Sequence, residues 1–185
     1  MSIVICAIKN NSEFVIAADK RAINNGDIRD NHNKILELRP GIFYGMTGLA
    51  QIGQQFFDLM LKPRAHLNSK DILSFVDSEF KPMSKQLTMT LAGRDEEGDF
   101  FLWQKNHEGI INYPQVRDDL LVLSIASNEN THIWENYFLM QCQFVQLEEA
   151  VILTIRYAAE NDKDRTISQE YDLFRMSRAA GGDVL

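Results

Sequence analysis

The chain opens with the apolar run MSIVICAI (residues 1–8) and continues, after the polar break KNNSE (9–13), with a second run, FVIAADKR (14–21). Two apolar runs of strand length around a short polar break predict a β-hairpin. Initiator methionine is normally removed when the next residue is as small as serine, so we expect Ser2 to become the first residue. Its hydroxyl would then lie beside a free α-amine, which is a known base for a hydroxyl nucleophile. The sequence of the hairpin therefore predicts a first strand that begins beside a nucleophilic group, the Ser2 hydroxyl.

Composition narrows the class of protein. The 185 residues are 45% hydrophobic and 24% charged, as is typical of one globular domain. The net charge is −7 with basic residues dispersed among acids, which argues against nucleic acid or an anionic membrane as partner. No stretch approaches the roughly 20 apolar residues of a membrane span, so we expect a cytoplasmic protein. Two cysteines in apolar segments and four scattered histidines predict neither a metal site nor a cofactor.

The rest of the sequence alternates groups of strands with pairs of helices. The periodicity predicts strands at 34–38, 42–48, 87–92, 99–103, 109–112, 120–126 and 170–177, and helices at 49–61, 69–80, 130–142 and 147–160. Helix pairs between groups of strands do not suit a parallel βαβ sheet. They predict an α+β fold, a four-layer αββα sandwich of two antiparallel sheets. We expect one domain over residues 1–178 and a flexible tail at 179–185.

Several motifs resemble those of proteasome β-type subunits and, given the short chain, of the bacterial HslV-like peptidases. The run IAADKRA (16–22) is similar to the family's second strand, where apolar and small residues precede an aspartate and often Arg-Ala. Lys34 falls at the family's catalytic lysine, and Gly48, fourteen residues later, matches the strand-end glycine whose amide forms the oxyanion hole. The run IASN (125–128) resembles the family's Gly-Ser-Gly, and Asp164 falls where a second catalytic aspartate is expected.

The resemblance covers nearly the whole chain and implies the N-terminal nucleophile (Ntn) hydrolase fold, which is an αββα sandwich. It also implies a set of site residues: catalytic Ser2, Asp19, Lys34, Gly48, Ser127 and Asp164, and substrate-binding Arg21 and Met46. In that set Ser2 is the nucleophile, Lys34 lies beside its hydroxyl, and Asp19 holds Lys34 by an ion pair. The other three catalytic groups supply the oxyanion donor and orient the amine and a water molecule.

The chain also departs from the family pattern. The usual nucleophile is threonine rather than serine, and Ala126 and Asn128 replace the glycines around Ser127. The length of the turn in the first hairpin decides which residue of the first strand lies at the family's nucleophile position. Counting back from Asp19 without a gap places Ile3 at that position, and a turn longer by one residue places Ser2 there. A turn longer by two residues would place Met1 there. Since a slip of one residue exchanges the faces of a strand, only the Ser2 register gives an active enzyme.

These observations predict a peptidase with an N-terminal serine that hydrolyses peptides or unfolded protein inside a ring-shaped homo-oligomer. The chain has no GxxxxGK[ST] phosphate loop, so an ATP-dependent unfoldase, if one acts with it, is a separate protein. Two alternatives stay open, because a fold does not fix a function. One is a catalytically inactive ring scaffold of the proteasome type, and the other is a small-molecule amidase on the same fold.

Overall fold

The computed structural model describes residues 2–24, 26–48, 54–55, 57–58, 68–79, 88–106, 111–112, 116–117, 119–127 and 131–178. Its strands are β1 (Ile3–Lys9), β2 (Glu13–Asp19), β3 (Ala22–Asn24), β4 (Asp27–Arg29), β5 (Ile35–Arg39), β6 (Ile42–Thr47), β7 (Thr88–Arg94), β8 (Phe100–Lys105), β9 (Ile111–Asn112), β10 (Leu121–Ser127) and β11 (Tyr171–Ser177). Its helices are α1 (Ser69–Glu79), α2 (Thr131–Gln141) and α3 (Leu147–Asn161).

Nine of the eleven strands in the described part of the chain form two antiparallel sheets that stack face to face, and β3 and β4 pair as a separate two-stranded ribbon. One has four strands in the order β10-β1-β2-β11, and the other has five in the order β5-β6-β7-β8-β9. Helices α2 and α3 cover the outer face of the four-stranded sheet, while α1 packs on the outer face of the five-stranded sheet. The predicted α+β architecture of four αββα layers is confirmed.

The hairpin of β1 and β2 occupies the centre of the four-stranded sheet, and both of its faces are buried. Successive side chains of a strand point to opposite faces. Ile3, Ile5 and Ala7 therefore pack against α2 and α3, whereas Val4 and Cys6 pack between the two sheets. This double burial explains why the two runs are continuously apolar rather than alternating.

The tip of this hairpin fastens one sheet to the other. Asn10 and Asn11 have φ values of 54° and 47°, a left-handed conformation that asparagine tolerates better than most residues. The side-chain amide of Asn11 donates to the carboxylate of Asp99 at 3.0 Å, and its oxygen accepts the Phe100 N–H at 3.0 Å. The tip is thus tied to the turn between β7 and β8 in the other sheet.

Three parts of the chain differ from the sequence expectation or lie wholly or partly outside what is described. The short ribbon of β3 and β4 is absent from the predicted strands, although Asn25-Gly26 between them is a pair typical of turns. Of the predicted helix 49–61, the described residues 54–55 and 57–58 are helical. The tail at 179–185 lies outside the described residues. Among the helices of the described ranges, none is long and apolar enough to cross a membrane.

Glu96 links the turn between β7 and β8 to the start of α1. Its carboxylate accepts the N–H of Ser69 at 3.0 Å and the Ser69 hydroxyl at 2.7 Å, and it pairs with Arg39. Partial burial works to raise the pKa of Glu96, but the hydrogen bonds from Arg39 and Ser69 outweigh it and bring the pKa down to about 2. The folded state thus favours the ionised carboxylate.

We expect Glu96→Gln to lower the free energy of unfolding at pH 7 by less than about 1 kcal/mol, because this carboxylate is partly exposed. The folded pKa lies below the ordinary 4.5, so this contribution is complete above that pH and is lost as the pH falls toward 2. Urea unfolding between pH 7 and 3 should show the gap between wild type and Glu96→Gln closing. Glu97→Gln, at the next and exposed residue, is the matched control. A gap that stays constant with pH would contradict the prediction.

Candidate active site

Residues from all four strands of the four-stranded sheet meet at the end where β1 begins. Ile3 pairs with Ser127 of β10 on one side, and on the other side its N–H donates to the carboxylate of Asp19, the last residue of β2. Asp19 in turn pairs with Tyr171 of the last strand. The sheet therefore brings the start of β1 beside Asp19 and the backbone of Ser127, whose side chain lies outside what is described.

The carboxylate of Asp19 accepts hydrogen bonds from several segments of the chain, and it is fully buried. Its Oδ1 accepts the backbone N–H of Ile3 at 2.9 Å. Its Oδ2 accepts the N–H of Arg21 at 3.0 Å and the N–H of Ser168 at 3.2 Å. Buried charges need such partners, because an unpaired carboxylate in the interior is costly. Asp19 is therefore an internal anchor rather than the solvated acid of an ordinary turn.

Lys34 completes the set of Asp19 partners. Its ammonium nitrogen lies 2.6 Å from Asp19 Oδ1, and the lysine is 4% exposed. Burial lowers the pKa of Lys34, and the negative charge of Asp19 acts in the opposite direction. The result is a lysine whose proton is held less tightly than usual at a place that excludes water.

The ammonium of Lys34 lies next to the peptide bond that joins Ser2 to Ile3. Lys34 Nζ and the Ile3 amide nitrogen contact the same oxygen of Asp19, at 2.6 Å and 2.9 Å, so their separation cannot exceed the sum of those distances. Ser2 is 7% exposed and lies just outside β1, where strand alternation no longer fixes the direction of its side chain. The pairs between β1 and β2 end at Val4 and Ala18, and continuing that register by one residue places Ile3 opposite Asp19.

The five-stranded sheet contributes the segment from Met46 to Gly48. The Met46 N–H donates to the Lys34 carbonyl at 3.1 Å, which aligns the end of β6 with the start of β5. Met46 is buried among the side chains that face α1. Gly48 has a φ of 109°, a conformation that favours glycine, so the chain leaves β6 with its backbone turned in a way that few other residues allow.

A tight turn between α3 and β11 supplies the Ser168 amide. Asp162 is 8% exposed, and its carboxylate accepts the N–H groups of Thr166 at 2.5 Å and Ile167 at 2.7 Å, the Thr166 hydroxyl at 2.7 Å and the Asp164 N–H at 3.2 Å. Burial works to raise the pKa of Asp162, but these hydrogen bonds hold it below its usual range. Asp164 itself is exposed. The buried carboxylate of this turn is thus Asp162, two residues before the predicted one.

Arg21 lies two residues after Asp19, and its side chain is engaged within the protein. Its Nε and Nη2 each donate to a carboxylate oxygen of Asp30 at 2.6 Å. Its Nη1 donates to the carbonyl of Arg165 at 2.8 Å, with the carbonyl of Ile167 at 3.5 Å. The hydrogen bonds that Arg21 donates to Asp30 raise the pKa of Arg21 and lower the pKa of Asp30. The Arg21 guanidinium thus links Asp30 to the turn that contains Arg165.

The two stacked sheets and their helices occur in solved structures. Eukaryotic HslV from Trypanosoma brucei superposes on this chain with a TM-score of 0.70, over 95% of this chain and 99% of that one. This chain has the HslV fold. The two sequences share 9% identity, so the likeness concerns the fold alone. Neither a protein-family model nor a curated protein matches the sequence.

Within this HslV fold, three residues of the site region were missed from sequence. Asp162 acts through contacts within its own turn. Asp30 binds Arg21 and the Ser168 N–H binds Asp19, both between separate segments of the chain, and such contacts leave little signal in a sequence. For Asp162 a signal existed: an aspartate followed at two to four residues by Asp164 and Thr166 is typical of a side chain that caps its own turn. Of the predicted residues, the HslV-like sheets gather Asp19, Lys34, Arg21 and the backbone of Ser127 around the start of β1.

Proposed function

We propose that this chain is a peptidase with an N-terminal serine, in which Ser2 attacks the peptide carbonyl once Met1 has been removed. The observation that carries the proposal is the buried Lys34–Asp19 pair, whose shared oxygen also binds the Ile3 amide. A buried ion pair seldom adds net stability compared with apolar packing, so its presence beside a chain start argues for a chemical role. A polar pair at this point suits activation of a hydroxyl group.

In the proposed reaction the Ser2 Oγ forms a bond to the substrate carbonyl carbon, and its proton passes to the α-amine, directly or through water. The amine has an ordinary pKa of about 7.7–8.0, which suits a general base near neutral pH. The Lys34 ammonium favours the ionised hydroxyl and, by like-charge repulsion, the neutral amine. Asp19 keeps that ammonium in place. The amine then returns the proton to the leaving nitrogen as the C–N bond breaks, and water hydrolyses the serine ester.

The remaining catalytic groups take the roles that the family resemblance implies. The N–H of Gly48 donates a hydrogen bond to the carbonyl oxygen as negative charge develops on it. One such donor contributes about 100- to 1,000-fold in rate. Ser127 orients the amine, and we assign to the 162–168 turn the second orienting role that was expected of Asp164. Met46, to which the resemblance gave an apolar specificity pocket, is 3% exposed and packs toward α1, so it takes no part in the proposed reaction.

The fold shared with HslV suggests how the chain assembles and where it works. We propose that the chain works in the cytoplasm as a ring-shaped homo-oligomer that encloses its sites, since heterologous contacts that close generate rings. Its substrates would be peptides or unfolded protein, delivered by a separate ATP-dependent unfoldase. The fold shared with HslV supports this setting.

A non-catalytic ring scaffold is the second candidate. Two observations favour it: the register that pairs Val4 with Ala18, continued by one residue, places Ile3 rather than Ser2 opposite Asp19, and Asp164 is exposed. A scaffold of this kind would keep the Lys34–Asp19 pair only as an internal support for the first strand.

The deciding experiment is the intact mass of natively expressed protein, before and after exposure to a β-lactone that acylates N-terminal hydroxyl nucleophiles. We expect loss of the Met1 mass and one adduct per chain. A retained Met1, or a free Ser2 that stays unmodified in the assembled protein, would overturn the peptidase proposal and leave the scaffold. Acylation together with turnover of small acylated amines, but not of peptides or unfolded protein, would instead identify an amidase.

A further inference from the structure

The Arg21 side chain joins the segments that surround the Lys34–Asp19 pair. Its bidentate contact holds Asp30, four residues before Lys34 in the chain. Its third nitrogen holds the carbonyls of the turn that ends at Ser168, whose N–H reaches Asp19. Its own backbone N–H also donates to Asp19. One residue therefore connects both segments that supply partners to the buried carboxylate.

The turn that leads to Ser168 is held from two sides. Asp162 accepts the N–H groups of Thr166 and Ile167, while the Arg21 guanidinium binds the carbonyls of Arg165 and Ile167. Arg165 has a φ of 52°, a left-handed conformation that non-glycine residues adopt at a cost. Contacts on both sides keep the turn in this conformation and so keep the Ser168 amide directed at Asp19.

We propose that Arg21 and Asp30 form a positioning clamp that fixes Ser168 and Lys34 against Asp19 and does not contact substrate. This inference rests on the proposed function for its kinetic consequence, though not for its geometry. It replaces the expectation that Arg21 binds substrate, because each guanidinium nitrogen already donates to an acceptor within the chain. Bidentate geometry makes arginine suitable for this task and lysine a poor substitute.

The test compares Arg21→Gln, Arg21→Lys and Asp30→Asn with Arg29→Gln, a matched control that removes a cation from the exposed strand β4. The β-lactone acylation rate is measured against lactone concentration, below the unfolding temperature of each variant. For the three clamp variants we expect the maximal acylation rate to fall about 10- to 100-fold, since small misplacements of reacting groups have such effects. The half-saturating lactone concentration should stay unchanged. The double variant Arg21→Gln/Asp30→Asn should be no slower than Arg21→Gln alone, because the two residues act as one unit.

Two kinetic outcomes would overturn the clamp. One is a rise in the half-saturating concentration at an unchanged maximal rate, which would make Arg21 a ligand-binding residue. The other is equal rates in Arg21→Gln and Arg29→Gln. If the wild-type protein does not acylate, the proposed function fails, and hydrogen exchange decides on the clamp by itself. Exchange in peptides that cover residues 165–168 should be at least about tenfold faster in Arg21→Gln and Asp30→Asn than in Arg29→Gln, and equal exchange would overturn the proposal.

Discussion

Ser2→Ala is expected to abolish the β-lactone adduct while the protein keeps its fold. The substitution removes the only atom of residue 2 that can form the ester, and removal of a nucleophile lowers reactivity on the order of a thousandfold or more. Ser2 lies outside β1, and its backbone is unaffected by the change, so we expect the unfolding temperature to stay within a few degrees of wild type. Intact mass and thermal unfolding of the same sample measure both properties.

Two further variants serve as controls for this prediction. Ser2→Thr supplies the family's usual nucleophile and should keep the adduct. Ser12→Ala removes a hydroxyl at the other end of the hairpin, where it contacts the Lys9 carbonyl, and should leave acylation unchanged. An adduct that persists in Ser2→Ala would show that another group reacts and that Ser2 is not the nucleophile.

Lys34→Met is expected to combine a large loss of stability with loss of acylation. Methionine fills a similar volume without the charge, so the Asp19 carboxylate stays buried without its cation. Breaking a buried pair in this way lowers the free energy of unfolding by about 3–5 kcal/mol. For a chain of this size that corresponds to a fall of roughly 6–20 °C in unfolding temperature. Urea and thermal unfolding measure this effect, and lactone labelling of the folded protein measures the chemical one.

The neighbouring pair of Lys20 and Asp172 provides the matched control. Its atoms lie 3.0 Å apart, but the side chains are 25% and 22% exposed. Lys20→Met should therefore reduce the free energy of unfolding by no more than about 1 kcal/mol and leave acylation intact. In the double variant Asp19→Asn/Lys34→Met, removal of both charges should recover part of the lost stability but no acylation. Equal stability losses in Lys34→Met and Lys20→Met would show that burial of the Lys34 pair has no energetic consequence.

The layered fold could be predicted from sequence because its central strands, among them β1, β2 and β6, are buried on both faces. Continuous apolar runs such as 3–8 and 14–18 leave little choice of structure, and helix pairs between them indicate two stacked antiparallel sheets. The β3–β4 ribbon gave no such signal, since each strand has three residues and Ile23 and Ile28 are exposed. Apolar patterning reports burial, and this ribbon is not buried.

The site was harder to derive, for a different physical reason. Asp19 and Lys34 meet because β2 of one sheet ends where β5 of the other sheet begins, and no local pattern encodes that meeting. The family resemblance supplied it. The choice between Asp162 and Asp164 depends on which way a five-residue turn folds, and both residues precede the last strand by a similar distance. The family resemblance assigned Arg21 to substrate binding. Its acceptors gave no local signal against that role, because Asp30 directly follows an unpredicted ribbon and the Arg165 carbonyl lies 144 residues away.

The Ser168 amide and the Asp19 carboxylate that it binds are 149 residues apart in sequence. The strand that holds Asp19 also pairs with β11, which follows Ser168 directly. While a ribosome is still making the chain, the first hairpin can form, but Asp19 cannot gather all its donors until residue 168 has left the exit tunnel. Until residue 168 has been made, the chain lacks one of the donors that hold Asp19 beside Lys34. The proposed N-terminal nucleophile would therefore gain its full set of supporting contacts only late in translation.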